Sequence, residues 1–309
     1  MDHNTAALLI RRLSIFLLIA IPVYVVCLLI SGLIVPPRLN KNLLYRRQPG
    51  HSLTRFAEAK ETKNVDILFI GSSHCYRGFD PRIFAEAGYR TFNLGSGSQT
   101  PSQSELLIDR YLDQLNPKIV IYEVYGMTFC IDGIESTIDL ISNDKNDWSS
   151  VKLALRQRNL KVANTLIYSE LMNIFHLAKT SEPLTRYGDT YITGGYVSSN
   201  EKARPASHAK ETWIIKNDKI ESFERILDKL RKRNIKILLV QAPIAYGRFS
   251  QISNRADFDK VMERYGYYVN FNNIMHLNDT VDFYDSHHLN QSGVNQFNRE
   301  IMQYLKYAN

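Results

Sequence analysis

Short apolar runs alternate with amphipathic segments through most of this chain. The runs are Val65–Gly71, Tyr89–Gly95, Lys118–Val124, Ile235–Gln241 and Tyr267–Phe271, and each predicts a strand. Runs rich in Ile, Leu and Val with helices between them are typical of a parallel sheet covered on both faces. The pattern therefore predicts an α/β fold built on a parallel sheet of about five strands.

Apolar residues at helical spacing predict helices between these strands. Ser102–Leu115 is one such segment, and Ser102 with Glu105 has the spacing of a capping box at its start. Two later helices are predicted by the apolar faces Ile220, Phe223, Ile226, Leu227 and Leu230, and Val294, Phe297, Ile301 and Leu305.

Residues 127–213 interrupt this alternation and are interpreted as an insertion. It is expected to contain a helical part at about 149–178 and a loop, Arg186–Asn200. The loop holds Tyr187, Tyr191 and Tyr196. Exposed tyrosines can stack on sugars, and ordinary packing within the loop is the alternative.

A long apolar segment precedes the folded region. Leu13–Val35 contains 23 consecutive uncharged residues and ends at Pro36-Pro37. As a helix it would be roughly 34 Å long, enough to span a bilayer of about 30 Å. A cleaved signal peptide would have a shorter apolar region and a small-residue cleavage site, and a core helix would have a polar face. We therefore predict an anchor at residues 1–37, a polar tether at 38–64, and one domain at 65–309.

Composition and charge exclude several classes of protein. The chain is 44% hydrophobic and 22% charged, which is typical of a globular protein. Six basic residues and one acidic residue fall within residues 1–47, so +5 of the net charge of +7 lies there and +2 remains for the rest. The nearly neutral body offers no argument for nucleic acid. Three cysteines and no phosphate loop, nucleotide fingerprint or metal-ligand spacing predict no cofactor and no metal.

Two segments far apart in the chain carry candidate chemistry. Ser73 follows the first predicted strand in Gly71-Ser72-Ser73-His74, where a serine is either a nucleophile or the cap of the next helix. Asp285 and His288 are three residues apart in one turn. There the carboxylate can orient the imidazole and leave its other nitrogen for the serine proton. A surface Asp-His pair is the ordinary alternative.

Together these segments resemble the first and last blocks of the SGNH, or GDSL-like, hydrolase superfamily. Gly71-Ser72-Ser73 corresponds to its Gly-Asp-Ser block, with Ser in place of Asp. The last block, Asp-x-x-His followed by Leu-Asn-x-x-Gly, is matched by Asp285, His288, Leu289, Asn290 and Gly293. The resemblance covers about residues 65–305 apart from the insertion, and it implies a three-layer, flavodoxin-like fold.

The resemblance also implies roles for individual residues. Ser73 would be the nucleophile, His288 the general base and Asp285 its orienting carboxylate. The backbone N–H groups of Ser73 and Gly95 would form the oxyanion hole. His74 and His287 receive no role in this pattern, and His287 is interpreted as a loop residue.

One departure from the superfamily pattern is informative. Its third block, Gly-x-Asn-Asp, supplies an Asn to the oxyanion hole, but here the third strand continues into Glu123–Thr128 without one. A lost donor costs about 3–4 kcal/mol of transition-state stabilisation. The same departure, with Gly-Ser-Ser and an N-terminal anchor, resembles membrane-anchored SGNH-like proteins of bacterial envelopes. These include polysaccharide O-acetylation factors and the D-alanyl transfer protein of teichoic-acid systems, which work beside membrane-bound O-acyltransferases.

This resemblance implies a membrane-anchored serine esterase or O-acyltransferase that acts on acyl groups of a cell-envelope glycan. Acetyl is the acyl group expected. The alternative is a non-catalytic glycan-binding or assembly subunit of such a system. The implied location is the bacterial inner membrane, with one span and an extracytoplasmic domain. Basic residues on the C-terminal side of the span, at 38, 41, 46 and 47, oppose this orientation, whereas Arg11 and Arg12 support it.

Cys75 and Cys130 are interpreted as two unpaired core residues, with a disulfide as the alternative.

Overall fold

A computed structural model describes residues 3–186, 188–199, 201–202 and 208–308 of the chain. Its helices are α1 (His3–Ile34), α2 (Ser52–Glu61), α3 (Ser73–Gly78), α4 (Pro81–Glu86), α5 (Pro101–Leu115), α6 (Ile134–Asn143), α7 (Trp148–Arg156), α8 (Leu160–Ile174), α9 (Asn217–Lys232), α10 (Tyr246–Phe249), α11 (Arg255–Glu263) and α12 (Gln291–Ile301). Its strands are β1 (Ile67–Ile70), β2 (Thr91–Asn93), β3 (Ile119–Glu123), β4 (Thr185–Arg186), β5 (Asp189–Ile192), β6 (Tyr196–Ser199), β7 (Lys236–Gln241) and β8 (Tyr268–Asn270). Short 3₁₀ helices follow at Gly126–Phe129, Phe271–Asn273 and Met302–Tyr307.

Five strands form one parallel sheet in the order β2-β1-β3-β7-β8. This is the flavodoxin-like order, so the predicted α/β fold class is confirmed. Each of the five strands of this sheet begins and ends within two residues of its predicted bounds. The agreement follows from burial: an apolar run between polar turns has few alternatives to a central strand.

The two faces of the sheet are covered by different helices. In β1, Leu68 and Ile70 belong to the core on one face, whereas Ile67 and Phe69 belong to the core on the other, and all four are fully buried. Alternation along a strand directs successive side chains to opposite faces. Helices α2, α5 and α9 cover the first face and α3, α4 and α12 the second, which gives three layers.

Helix α5 begins differently from the prediction. Its capping box is formed by Thr100 and Gln103, not by Ser102 and Glu105. Pro101 is the first helical residue, which suits proline because that position needs no N–H donor. Glu105 instead forms a salt bridge with Arg225 of α9, with its oxygens 2.6 and 2.8 Å from the guanidinium.

The insertion is more regular than predicted. Its helical part comprises α6, α7 and α8, and the segment predicted as a loop contains the antiparallel sheet β4-β5-β6. Tyr191 and Tyr196 are buried, and their hydroxyls donate to Glu58 and Gln291. The alternative of ordinary packing therefore holds for both. Tyr187 and Asn200 lie outside the described residues.

The N-terminal region has one long helix. Within the described residues, Thr5–Ile34 of α1 is the helix that is long and apolar enough to cross a membrane. The segment predicted as a tether differs from a free linker, because α2 packs into the domain. Arg55 is fully buried there, donates to the carbonyls of Gly50 and Gly195, and lies 4.5 Å from the ring centre of Tyr76. Arginine is usually exposed, so the sequence contains no indication that Arg55 is buried or that α2 packs into the domain.

Candidate active site

Ser73 is positioned by a tight turn between β1 and α3. Gly71 in this turn has φ +149°, and a Cβ there would lie 2.7 Å from the Glu123 carbonyl oxygen. Ser72 caps α3, because its hydroxyl oxygen accepts the His74 N–H at 3.3 Å. Ser73 thus begins α3 at the carboxyl end of β1, next to β3, where the strand order reverses. Ligands of open α/β sheets bind at such points.

Asp285 and His288 are positioned by a local turn. One oxygen of Asp285, Oδ1, accepts the backbone N–H groups of His287 at 2.9 Å and His288 at 2.8 Å. A bridge between Phe283 and Leu289 closes the loop around this turn. The second carboxylate oxygen is left for the imidazole.

These two segments meet in a hydrogen-bonded relay. His288 Nε2 lies 2.7 Å from Ser73 Oγ, and His288 Nδ1 lies 2.8 Å from Asp285 Oδ2. The structure therefore brings together the three residues predicted as catalytic. A serine within hydrogen-bond reach of a base that is oriented by a third group is the arrangement of an activated nucleophile.

The charge state of Asp285 suits this arrangement. Burial by itself would raise the pKa of its carboxyl group, but the hydrogen bond and charge of His288 outweigh burial and hold that pKa well below its usual range. The group is thus a carboxylate at neutral pH. A carboxylate here stabilises the imidazolium that forms when His288 takes the serine proton.

The predicted oxyanion hole is only partly in place. The Ser73 N–H lies at the start of α3, but the Gly95 N–H already donates to Asn93 Oδ1 at 2.8 Å. Gly95 is needed for close packing, because a Cβ would lie 2.8 Å from the Ser72 carbonyl oxygen. Gly97 and Ser98 are the residues of this segment that line the cleft with Ser73. In the part of the chain that the structure describes, their N–H groups have no hydrogen-bond acceptor.

An open cleft of about 400 Å³ surrounds Ser73 and His288. Arg77 and Asp189 contribute to its wall as a buried bidentate pair, with N–O distances of 2.9 and 2.6 Å. Arg248 also lines the cleft and is bonded to Glu211 at 2.8 Å. The wall of the cleft therefore contains charged groups of both signs.

Sequence reasoning missed a buried pair behind the nucleophile. Glu123, the last residue of β3, accepts the Ser72 hydroxyl at 3.1 Å, and its other oxygen lies 3.7 Å from His74 Nδ1. Burial raises the pKa of Glu123 to about 8, although the hydrogen bond from Ser72 opposes this. Burial, then the charge of His288, holds the pKa of His74 well below its usual range. The distance is that of an ion pair, but burial favours the neutral forms of both groups. One signal was available, namely a glutamate in an otherwise apolar strand.

His287 and the cysteines complete the neighbourhood. His287 lines the cleft, and burial followed by the charge of His288 lowers its pKa to about 3. Ligand atoms of Asp285, His287 and His288 lie within 4.8 Å of one another, so this group could hold a cation. Doing so would break the Asp285–His288 hydrogen bond. Cys75 and Cys130 are free thiols, as the unpaired interpretation predicts.

Comparisons with known proteins give structural neighbours only. No protein-family model and no curated protein matches this sequence. Solved structures similar to it include one described as an acylhydrolase from Bacteroides fragilis, at 14% identity and TM-score 0.42, covering 82% of this chain and 94% of that chain. A GDSL-like lipase from Bacteroides thetaiotaomicron has 13% identity and TM-score 0.42, with coverage of 82% and 97%. A Streptococcus pneumoniae structure described as a platelet activating factor has 10% identity and TM-score 0.44, with coverage of 82% and 94%.

One of these descriptions, GDSL-like lipase, names the superfamily that the sequence resembles. The identities and TM-scores are too low to transfer an activity from those proteins to this chain. The narrower resemblance to envelope O-acetylation factors and the D-alanyl transfer protein stays a prediction.

Proposed function

We propose that this chain is a membrane-anchored serine esterase or O-acyltransferase. The observation that carries the proposal is the Ser73–His288–Asp285 relay, with its distances of 2.7 and 2.8 Å. Ser73 Oγ attacks the acyl carbonyl while His288 takes its proton, and His288 then returns that proton to the leaving alcohol. Water resolves the acyl-serine in hydrolysis, and an acceptor hydroxyl resolves it in transfer.

The cleft supports a small acyl group on a polar carrier. Its volume of about 400 Å³ lies at the low end of ligand sites, and its wall includes the buried Arg77–Asp189 pair and Arg248. Acetyl esters of a cell-envelope glycan fit both features, and the chemistry uses no cofactor. A membrane-bound O-acyltransferase is the proposed partner, because it would supply or receive the acyl group.

The anchor supports action at a membrane surface. Helix α8 of the insertion packs against α1. The catalytic domain is thereby held close to the proposed span. We assign it to the extracytoplasmic side of the inner membrane. A periplasm-specific reporter fused after residue 64 should be active, and activity only from a cytoplasmic reporter would reverse this orientation.

The decisive test is covalent labelling. A fluorophosphonate probe should label the detergent-solubilised full-length protein, and Ser73→Ala should abolish the label. Ser149→Ala is the matched control, because Ser149 is exposed and lies outside the relay. Labelling of the Ser73→Ala protein at the wild-type rate would rule out Ser73 as the nucleophile.

The competing function, a non-catalytic glycan-binding subunit, predicts a different result. It requires glycan binding that is unchanged in Ser73→Ala and no labelling of the wild-type protein. The burial of Tyr191 and Tyr196 removes two of the side chains that motivated it. Hydrolysis and transfer are separated by offering an acetyl ester with and without a glycan acceptor, and by measuring where the acetyl group appears.

A further inference from the structure

The oxyanion hole predicted from the sequence lacks a side-chain donor at the end of the third strand. The structure has an imidazole close to that place. His74 directly follows the proposed nucleophile, is only 4% exposed, and contributes to the wall of the cleft. Its ring centre lies 5.1 Å from that of His288. It therefore borders the space where an acyl carbonyl must sit.

Two buried polar atoms here have no partner. In the described part of the chain, His74 Nδ1 and Glu123 Oε1 are both buried without a hydrogen bond, and they lie 3.7 Å apart. A buried polar atom without a partner is costly, so a shift of a few tenths of an ångström that joins the two would satisfy both. The Ser72 hydroxyl holds the other oxygen of Glu123 at 3.1 Å and keeps the carboxyl group in this orientation.

The protonation states of Glu123 and His74 decide which of the two groups donates a hydrogen bond to the other. Burial favours a neutral Glu123 and a neutral His74 at pH 7. A neutral carboxylic acid has one O–H to donate, and Nδ1 is the acceptor that faces it. A neutral imidazole that accepts at Nδ1 carries its hydrogen on Nε2. Nε2 is then a donor available to the cleft.

We propose that His74 is the side-chain donor of the oxyanion hole and that Glu123 holds it in the required tautomer. The Nε2–H of His74 donates a hydrogen bond to the carbonyl oxygen that becomes negative when Ser73 attacks. No proton is transferred to that oxygen, so the relay through His288 is unchanged. His74 is thus a catalytic residue and Glu123 a positioning residue. This inference rests on the proposed function and supplies the donor that the missing Asn would have provided.

A matched pair of substitutions tests the donor. His74→Gln and His74→Met introduce unbranched side chains of similar size, but only Gln can donate. With p-nitrophenyl acetate and the full-length protein, His74→Met should lower kcat about 10²–10³-fold, as the loss of one oxyanion donor does elsewhere. His74→Gln should retain at least about ten times the kcat of His74→Met, with KM similar in both. Equal kcat values for the two folded variants would overturn the proposal.

A second pair tests the positioning role. Glu123→Gln keeps a group that donates to Nδ1 and accepts from Ser72, so kcat should stay within about threefold of wild type. Glu123→Leu keeps neither, and kcat should approach that of His74→Met. If His74→Met does not unfold cooperatively on heating, it is not properly folded and its kcat cannot be interpreted. The two Glu123 variants then test whether His74 acts as the donor. Loss of kcat in Glu123→Gln equal to that in Glu123→Leu would refute the tautomer role.

Two outcomes separate this inference from the proposed function. Tyr125 also lines the cleft, and its ring centre lies 4.1 Å from that of His74. A larger loss of kcat in Tyr125→Phe than in His74→Met would make Tyr125 the donor and overturn the proposal. Ser73-dependent fluorophosphonate labelling, at a lower rate, should persist in His74→Met. If wild type itself is not labelled, the proposed function and the role of His74 both fall.

Discussion

The two halves of the relay are held in opposite ways. On the serine side, Ser72, His74 and Cys75 are at most 4% exposed, and Gly71 is wedged against the backbone of Glu123. On the histidine side, the Asp285 side chain is 37% exposed and the His288 side chain is 15% exposed. There the geometry depends on a turn in which Asp285 accepts two backbone N–H groups close to it in the chain.

This difference separates chemistry from stability. The residues on either side of Ser73 are part of the packed core, so a change among them should disturb folding as well as reaction. The Asp-His turn is held by hydrogen bonds to the Asp285 carboxylate at the surface of the cleft, so the His288 side chain should be replaceable with little loss of stability. Three measurements test this contrast.

The largest effect is expected on the histidine side. His288→Ala should lower kcat/KM at least about 10³–10⁴-fold, because no other base lies within hydrogen-bond reach of Ser73 in the described structure. Its free energy of unfolding should change by no more than about 1 kcal/mol. Ester hydrolysis and urea denaturation measure the two quantities. The exposed His276 is the control, and His276→Ala should leave both unchanged. A large loss of stability in His288→Ala would contradict the contrast.

On the serine side, a smaller effect is expected, and it is a loss of folding stability. Gly71→Ala places a Cβ 2.7 Å from the Glu123 carbonyl oxygen at φ +149°, so it should lower the free energy of unfolding by about 2–4 kcal/mol. Gly266→Ala is the matched control, because its φ of +153° is similar but nothing lies within 4 Å of its added Cβ. The free energies of unfolding of the two variants are measured by urea denaturation. The difference between them gives the contribution of the close packing of Gly71 against β3. Equal losses would mean that backbone conformation alone explains the effect.

The smallest effect concerns pH. The pKa of Glu123 is about 8 in the folded chain and 4.5 ordinarily, so the folded state keeps a proton that the unfolded state has released. Stability from this group is therefore full below pH 4.5 and is lost as pH rises towards 8, by at most about 1.4 kcal/mol per unit. The lowered pKa values of His51, His74 and His287 and the raised pKa of Asp139, about 6, act mainly below about pH 7.

The window from about pH 7 to 8 is therefore the one in which Glu123 dominates. Urea denaturation of wild type should show a free energy of unfolding that falls across this window. Glu123→Gln cannot titrate at this position and should show a flatter profile. Parallel profiles of the two proteins would show that Glu123 is already ionised at about pH 7 in the folded chain.

Prediction from the sequence succeeded where the signal was local. The five sheet strands follow from apolar runs, and the Asp285–His288 turn follows from a spacing of three residues. It failed where a residue's partner lies far along the chain. Glu105, predicted to cap α5, instead pairs with Arg225 of α9, and Tyr191 and Tyr196 are buried in a small sheet rather than exposed in a loop.

The sequence by itself determined the order and type of the main elements, the apolar N-terminal helix and the residue types of the relay. These depend on periodicity and on contacts between residues a few positions apart. Tertiary structure alone decided that Ser73 and His288, 215 residues apart, lie 2.7 Å from each other, because that distance depends on strand order. It also decided that Glu123 faces His74. Such pairings arise because buried polar groups must find partners in whichever elements pack beside them, and no local pattern records which those are.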